Sequence, residues 1–190
     1  MLYARRCCFP WLFVVALALP AGAQTPADWA RADSAVVRLA PDAFPALPLQ
    51  VRRDLTRRGC RIPQPYDAFG QQNVVSGALT GAGRRDWAVL CSVRGVSTIL
   101  IYGAGHASPV DSLAAQADRR FLQTVGDGRI GYSRYVSVAG PRRVQRAAVR
   151  NGARGPASVD HDALEDAFEG KASTILYYLH GRWLELPGSD

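Results

Sequence analysis

Residues 72–102, QNVVSGALTGAGRRDWAVLCSVRGVSTILIY, constrain the fold more than any other stretch of the chain. Three runs rich in β-branched and apolar residues, 72–80, 86–93 and 97–102, are separated by Gly81-Ala82-Gly83 and Arg94-Gly95. Connections this short join antiparallel neighbours, because a parallel return needs a crossover of a dozen residues or more. An antiparallel meander is expected here.

The periodicity upstream is helical. In PADWARADSAVVRLA, residues 26–40, Trp29, Ala32, Val36 and Leu39 recur at helical spacing, with Thr25 as cap and Pro26 in the first turn. Pro41, Pro45 and Pro48 punctuate a linker, and LQVRRDLTRR predicts a second helix that stops at Gly59. Downstream of the meander, 103–117 reads as loop or irregular helix, 129–138 as a strand and Pro141–Arg150 as a short helix. The chain ends on two runs rich in β-branched and aromatic residues joined by His180-Gly181, a hairpin signal. The expected fold class is α+β: two N-terminal helices packed on a mostly antiparallel sheet of five or six strands, ending in a C-terminal hairpin.

The first residues carry an address. Arg5-Arg6, the apolar run Trp11–Leu19 and Ala21-Gly22-Ala23 have the charge, length and small-residue pattern of a secretory signal. The apolar run is shorter than the ~20 residues a membrane span needs. Residues 1–23 are therefore expected to be a signal peptide and 24–190 a single domain, periplasmic or secreted. Cleavage removes Cys7 and Cys8 and leaves Cys60 and Cys91, a pair that an oxidising compartment joins as a disulfide.

Charge narrows the partners. The chain carries a net +7, which falls to +5 without Arg5 and Arg6, and Lys171 is its one lysine. The arginine doublets are scattered and not interleaved with aromatics, against the pattern of a nucleic-acid platform. No nucleic acid is expected as partner, no membrane span after cleavage, and a monomer.

Catalytic signatures are sparse. GDGRIG, residues 126–131, has dinucleotide-loop spacing but runs into a strand-like segment, where that motif requires a helix. GxSxG, HExxH and CxxC do not occur. His106 sits in a glycine-rich loop and His180 in a turn. The densest chemistry is DHDALEDAFEGKAST, residues 160–174, where Asp160, His161, Asp162, Glu165, Asp166 and Glu169 combine hard oxygen ligands with one imidazole. Three readings stand for it: a capped helical turn, a cation site, or acid–base catalysis with His106 or Asp86 brought near. The turn reading is preferred, with Leu164 and Phe168 packing inward.

Four segments, RGCRIPQ (58–64), NVVSGALTGAGRRDWAVLCS (73–92), the 160–174 cluster and GRWLELPGSD (181–190), resemble a group of uncharacterised exported bacterial proteins. The likeness implies export and a shared fold, and carries no catalytic residue with it. Separately, GALTGAGRRDWAVL is similar to half of an FG-GAP repeat. The calcium-binding acids of that motif are replaced by Ala78, Thr80 and Ala82, and only Asp86 stands near its final acid. One copy makes no propeller.

These readings favour a non-catalytic binding or interaction protein without a cofactor. The expected ligand is an envelope protein, a glycan or a small molecule. The competing class is a metal-assisted hydrolase built on the 160–169 acids. The candidate binding residues are Asp160, His161, Asp162, Glu165, Asp166, His106 and Asp86.

Overall fold

A computed structural model of the chain describes residues 24–152, 156 and 158–188. The expected signal peptide lies outside them. Helix α1 (Pro26–Ala35) begins at Thr25, whose Oγ1 accepts from the Asp28 amide at 3.3 Å. In return the Thr25 amide donates to the Asp28 carboxylate at 2.8 Å, completing a capping box. Helix α2 (Leu49–Arg57) stops where Gly59 takes a φ of 70°. Helix α3 (Pro141–Asn151) opens on a proline that already has a helical φ.

Among the described residues the strands form four antiparallel sheets. One holds β3 (Val74–Gly77), β4 (Asp86–Val93), β5 (Val96–Tyr102) and β6 (Asp111–Ala117), in the order β3-β4-β5-β6. A second holds β9 (Arg134–Ala139), β10 (Ala163–Phe168), β11 (Ala172–Leu179) and β12 (Arg182–Pro187), in the order β12-β11-β10-β9. Two small pairs complete the set: β1 (Arg38–Leu39) with β2 (Ile62–Pro63), and β7 (Leu122–Val125) with β8 (Arg129–Tyr132).

Alternation along the strands stacks these parts into layers. On β4, Trp87, Val89 and Cys91 point to one side, where they pack with Val51 and Leu55 of α2. Ala88 and Leu90 point to the other side and meet Val136, Leu164 and Leu176 of the second sheet. Ile175, Tyr177 and Leu186 leave the far side of that second sheet and pack under Val144, Ala147 and Ala148 of α3. The result is helix, sheet, sheet, helix. Both central sheets are covered on both faces, which is why β4 reads as an unbroken apolar run. Cys60 and Cys91 form a disulfide that ties the end of α2 to β4.

The two large sheets meet along one side and part along the other. Asn73, buried with φ 69°, accepts from the Val136 amide at 2.8 Å and donates to the Arg134 carbonyl at 3.2 Å, so it closes the β3/β9 side. The opposite edges, β6 and β12, diverge.

This architecture corrects the expected fold class. Among the described residues there is no single sheet of five or six strands: twelve strands are distributed over sheets of two, four, two and four. Nor do two N-terminal helices pack on one sheet. Only α2 does, while α1 buries no residue and lies by β7 and β8, where Gln24 bonds to the Gly128 carbonyl and Thr124. Residues 111–117 are a strand, because β5 offers them a free edge. The run 129–138 is broken at buried Ser133, whose amide turns aside to the Phe121 carbonyl at 2.8 Å. The preferred helical turn in the 160–169 cluster is instead β10, paired to β9 and β11 along its length.

Candidate functional site

Because β10 is a strand, its acids alternate between faces and do not share one. Glu165 points outward beneath α3. There it forms a two-point ion pair with Arg143 and accepts from Ser173 Oγ at 2.6 Å. Burial works against its charge, yet Arg143 and Ser173 prevail and hold the carboxyl below its ordinary value. Asp166 points inward, between the sheets. Its two oxygens accept from Arg134 Nε at 2.9 Å and Nη2 at 2.8 Å.

The remaining acids of the cluster are also accounted for locally. Asp162 precedes β10 and accepts from the Ala78 amide at 3.0 Å, while its own amide donates to the Ala78 carbonyl at 3.1 Å. It thus stitches the end of β3 to the start of β10. Glu169, just past β10, has its carboxyl raised by burial and by the neighbouring Asp67. Asp86 is fully buried and accepts from the Thr80 amide and hydroxyl at 2.8 and 2.7 Å and from the Ala104 amide at 3.2 Å. His106 is exposed on the loop between β5 and β6.

Asp160 and His161 do come together. His161 Nδ1 lies 2.6 Å from Asp160 Oδ1, and the Tyr177 hydroxyl donates to the same oxygen at 3.1 Å. The imidazole stacks on the Tyr177 ring with centroids 4.4 Å apart. Bonds first from His161 and then from Tyr177 hold the Asp160 carboxyl below its usual range, and burial raises the Tyr177 phenol. A carboxylate only accepts, so the bridging hydrogen sits on Nδ1, and a neutral ring would then keep its lone pair on Nε2. That lone pair would serve as a base or a ligand if anything reached it. Nε2 is buried and has no partner, so the trio locks the entry of β10 against β11.

One of several open clefts lies where β6 and β12 diverge. A cleft of ≈ 450 Å³ is lined by Ala114 and Gln116 of β6, Asp166 and Phe168 of β10, Thr174 and Leu176 of β11, and Glu185 of β12. Arg120 and Phe121 close one end. Phe121 and Phe168 meet edge to face at 5.5 Å. Behind them sits Arg134, fully buried, its guanidinium 4.5 Å from the Phe121 ring centre. The same guanidinium donates to Ser97 Oγ at 2.8 Å and to the Ala114 carbonyl at 2.7 Å, so it ties β5 and β6 to β10 across the gap. At the cleft's far side the Trp183 indole donates to Asp111 at 2.7 Å and bridges β12 to β6.

Of the sequence candidates, Asp166 alone lines this cleft, and no histidine does. Arg134, Gln116, Phe121, Phe168 and Glu185 escaped sequence reasoning as a group. The one available signal was the arginine in RYVSV, at an inward position of an alternating strand. Among the described residues, no group of three or more His, Cys, Asp or Glu side chains stands together as a metal centre. No helix among them is long and apolar enough to cross a membrane.

Comparison with protein families, with curated proteins and with solved structures returns no match.

Proposed function

We propose that the protein is an exported, periplasmic or secreted, binding protein that holds a small molecule or the end of a glycan in the cleft between β6 and β12. The observation that carries this reading is the lining of that cleft. Two phenylalanines supply an apolar surface, and Gln116, Arg120, Thr174 and Glu185 surround it with donors and acceptors. An apolar wall with a few convergent polar groups, in a volume of some hundreds of Å³, suits a small ligand. Export is supported by the signal-like N-terminus, by the likeness of four segments to exported bacterial proteins, and by the Cys60–Cys91 bond. The dispersal of the 160–169 acids over two faces, each with its own partner, favours binding over hydrolysis.

The test is saturation-transfer NMR of the disulfide-intact protein against a panel of cell-envelope saccharides and their amino-sugar fragments. Contact by at least one saccharide, lost in Gln116→Ala/Glu185→Ala while the melting temperature holds, is the expected result. Binding that persists in this double variant, or reaction products accumulating in the sample, overturns the reading.

A further inference from the structure

Helix α3 carries its charges in an arrangement its own chemistry opposes. Its sequence, PRRVQRAAVRN, holds four arginines and no acid. Arg142 and Arg143 stand in the first turn, where the helix dipole disfavours cations. Arg142, Arg146 and Arg150 follow one another at four-residue spacing, and like charges at that spacing repel. All three are exposed, and Val149 beside them is 71% exposed.

Elsewhere some arginines are paired with acids, while others, Arg53, Arg61, Arg94 and Arg119 among them, are exposed and form no ion pair with a described residue. On α2, Arg57 and Arg58 both pair with Asp54, and Arg52 lies 4.0 Å from Asp42. Arg38 is held by Asp33 and Asp118, Arg134 by Asp166, and Arg143 by Glu165. Arg142, Arg146 and Arg150 form no ion pair with a described residue. Arg150 donates to the Gly188 carbonyl at 2.7 Å and to the Pro187 carbonyl at 3.5 Å. A helix that aligns three exposed arginines and has no acid of its own, against these local rules, marks a candidate contact surface.

We propose that the outer face of α3 docks on the anionic headgroup surface of a lipid bilayer. The three guanidinium groups lie along a line about 12 Å long, set by the 1.5 Å rise of the helix, and so can meet a plane of phosphates together. Val149 supplies the apolar contact that the headgroup boundary accepts. The helix has no aromatic side chain on which a nucleobase would stack, which separates this face from a nucleic-acid platform. α3 is the outermost layer against the second sheet, so docking there leaves the cleft between β6 and β12 uncovered. The association is peripheral, driven by charge, and separable from whatever the cleft holds.

Each arginine near an anionic surface adds roughly fivefold to the partition coefficient, so three together add on the order of a hundredfold. The experiment is co-sedimentation with phosphatidylglycerol/phosphatidylcholine vesicles and with pure phosphatidylcholine vesicles, over a salt series. The disulfide-intact protein is expected on the anionic vesicles alone, with binding that weakens as salt rises. Arg142→Gln/Arg146→Gln/Arg150→Gln should lose about a hundredfold. Arg53→Gln/Arg61→Gln/Arg119→Gln, which removes the same charge from exposed positions elsewhere, should lose far less. Arg142→Lys/Arg146→Lys/Arg150→Lys keeps the charge and should still bind, which guards against a folding artefact. Equal losses in the two glutamine triples, loss of binding in the lysine triple, or no binding of the parent protein would overturn the proposal. So would a preference for duplex DNA over anionic vesicles.

Discussion

Arg134 is a fully buried charge, and its removal should be costly. Its side chain is fully buried, with two bonds to Asp166, bonds to Ser97 Oγ and the Ala114 carbonyl, and the face of Phe121 beside it. Arg134→Met fills a similar volume but leaves the Asp166 carboxylate facing the interior without its cation. Breaking a buried ion pair from one side costs about 3–5 kcal/mol. The Asp166 side chain is 13% exposed at the cleft, so water relieves part of this, and about 3–4 kcal/mol is the expected loss. In a domain of this size ~1 kcal/mol moves the melting temperature by about 2–4 °C, which places the shift near 6–16 °C. Arg134→Met/Asp166→Leu removes both charges and should recover at least half of that loss, because no buried charge is left unpaired, although Ser97 and the Ala114 carbonyl still lose a donor. Urea unfolding followed by tryptophan fluorescence measures both, with unchanged m-values as the control on two-state behaviour. A single variant that loses under ~1 kcal/mol, or a double variant no better than the single, refutes the account of Arg134 as the tie between the sheets.

Two further outcomes follow from the same structure. Glu165 has a folded-state pKa below its ordinary 4.5, so its contribution is fully present above that pH and is lost as the pH falls through the lowered value. Glu165→Gln should therefore be clearly less stable than the parent near about pH 6 and nearly equal to it well below the lowered value; a gap that stays constant on acidification contradicts this. The Cys60–Cys91 bond spans 31 residues, and Cys60→Ser/Cys91→Ser should lose about 3–4 kcal/mol on the chain-entropy account. Urea midpoints that coincide with and without reductant would contradict that value.

Much of the N-terminal half was legible because its signals are local. The cap at Thr25, the left-handed stop at Gly59 and the glycine turns between β3, β4 and β5 act within a few residues of where they stand. What escaped depends on partners far along the chain. β6 reads DSLAAQA, with no β-branched residue, and becomes a strand because the free edge of β5 pairs with it. In ALEDAF the acids sit three and four places from other candidate positions, a spacing that suits a helix. The same letters also alternate, and the alternation wins because each face has a waiting arginine: Arg143 outside, Arg134 inside. The site suffered most from this. Its cleft exists because two sheets part company, a relation no single segment encodes.

The parting of the sheets also bears on the order in which the chain acquires its shape. Each large sheet is a meander drawn from one uninterrupted span, 74–117 for the first and 134–187 for the second. Nearly all pairing within them joins neighbours in sequence, so loop closure is inexpensive and each can form without waiting for the other. On that order, what would remain for the end is the joining of the two halves through Asn73, Arg134 and the Leu90–Leu164 layer. Asn73 is then a late contact, and weakening it should hasten unfolding while leaving the rate of folding almost untouched.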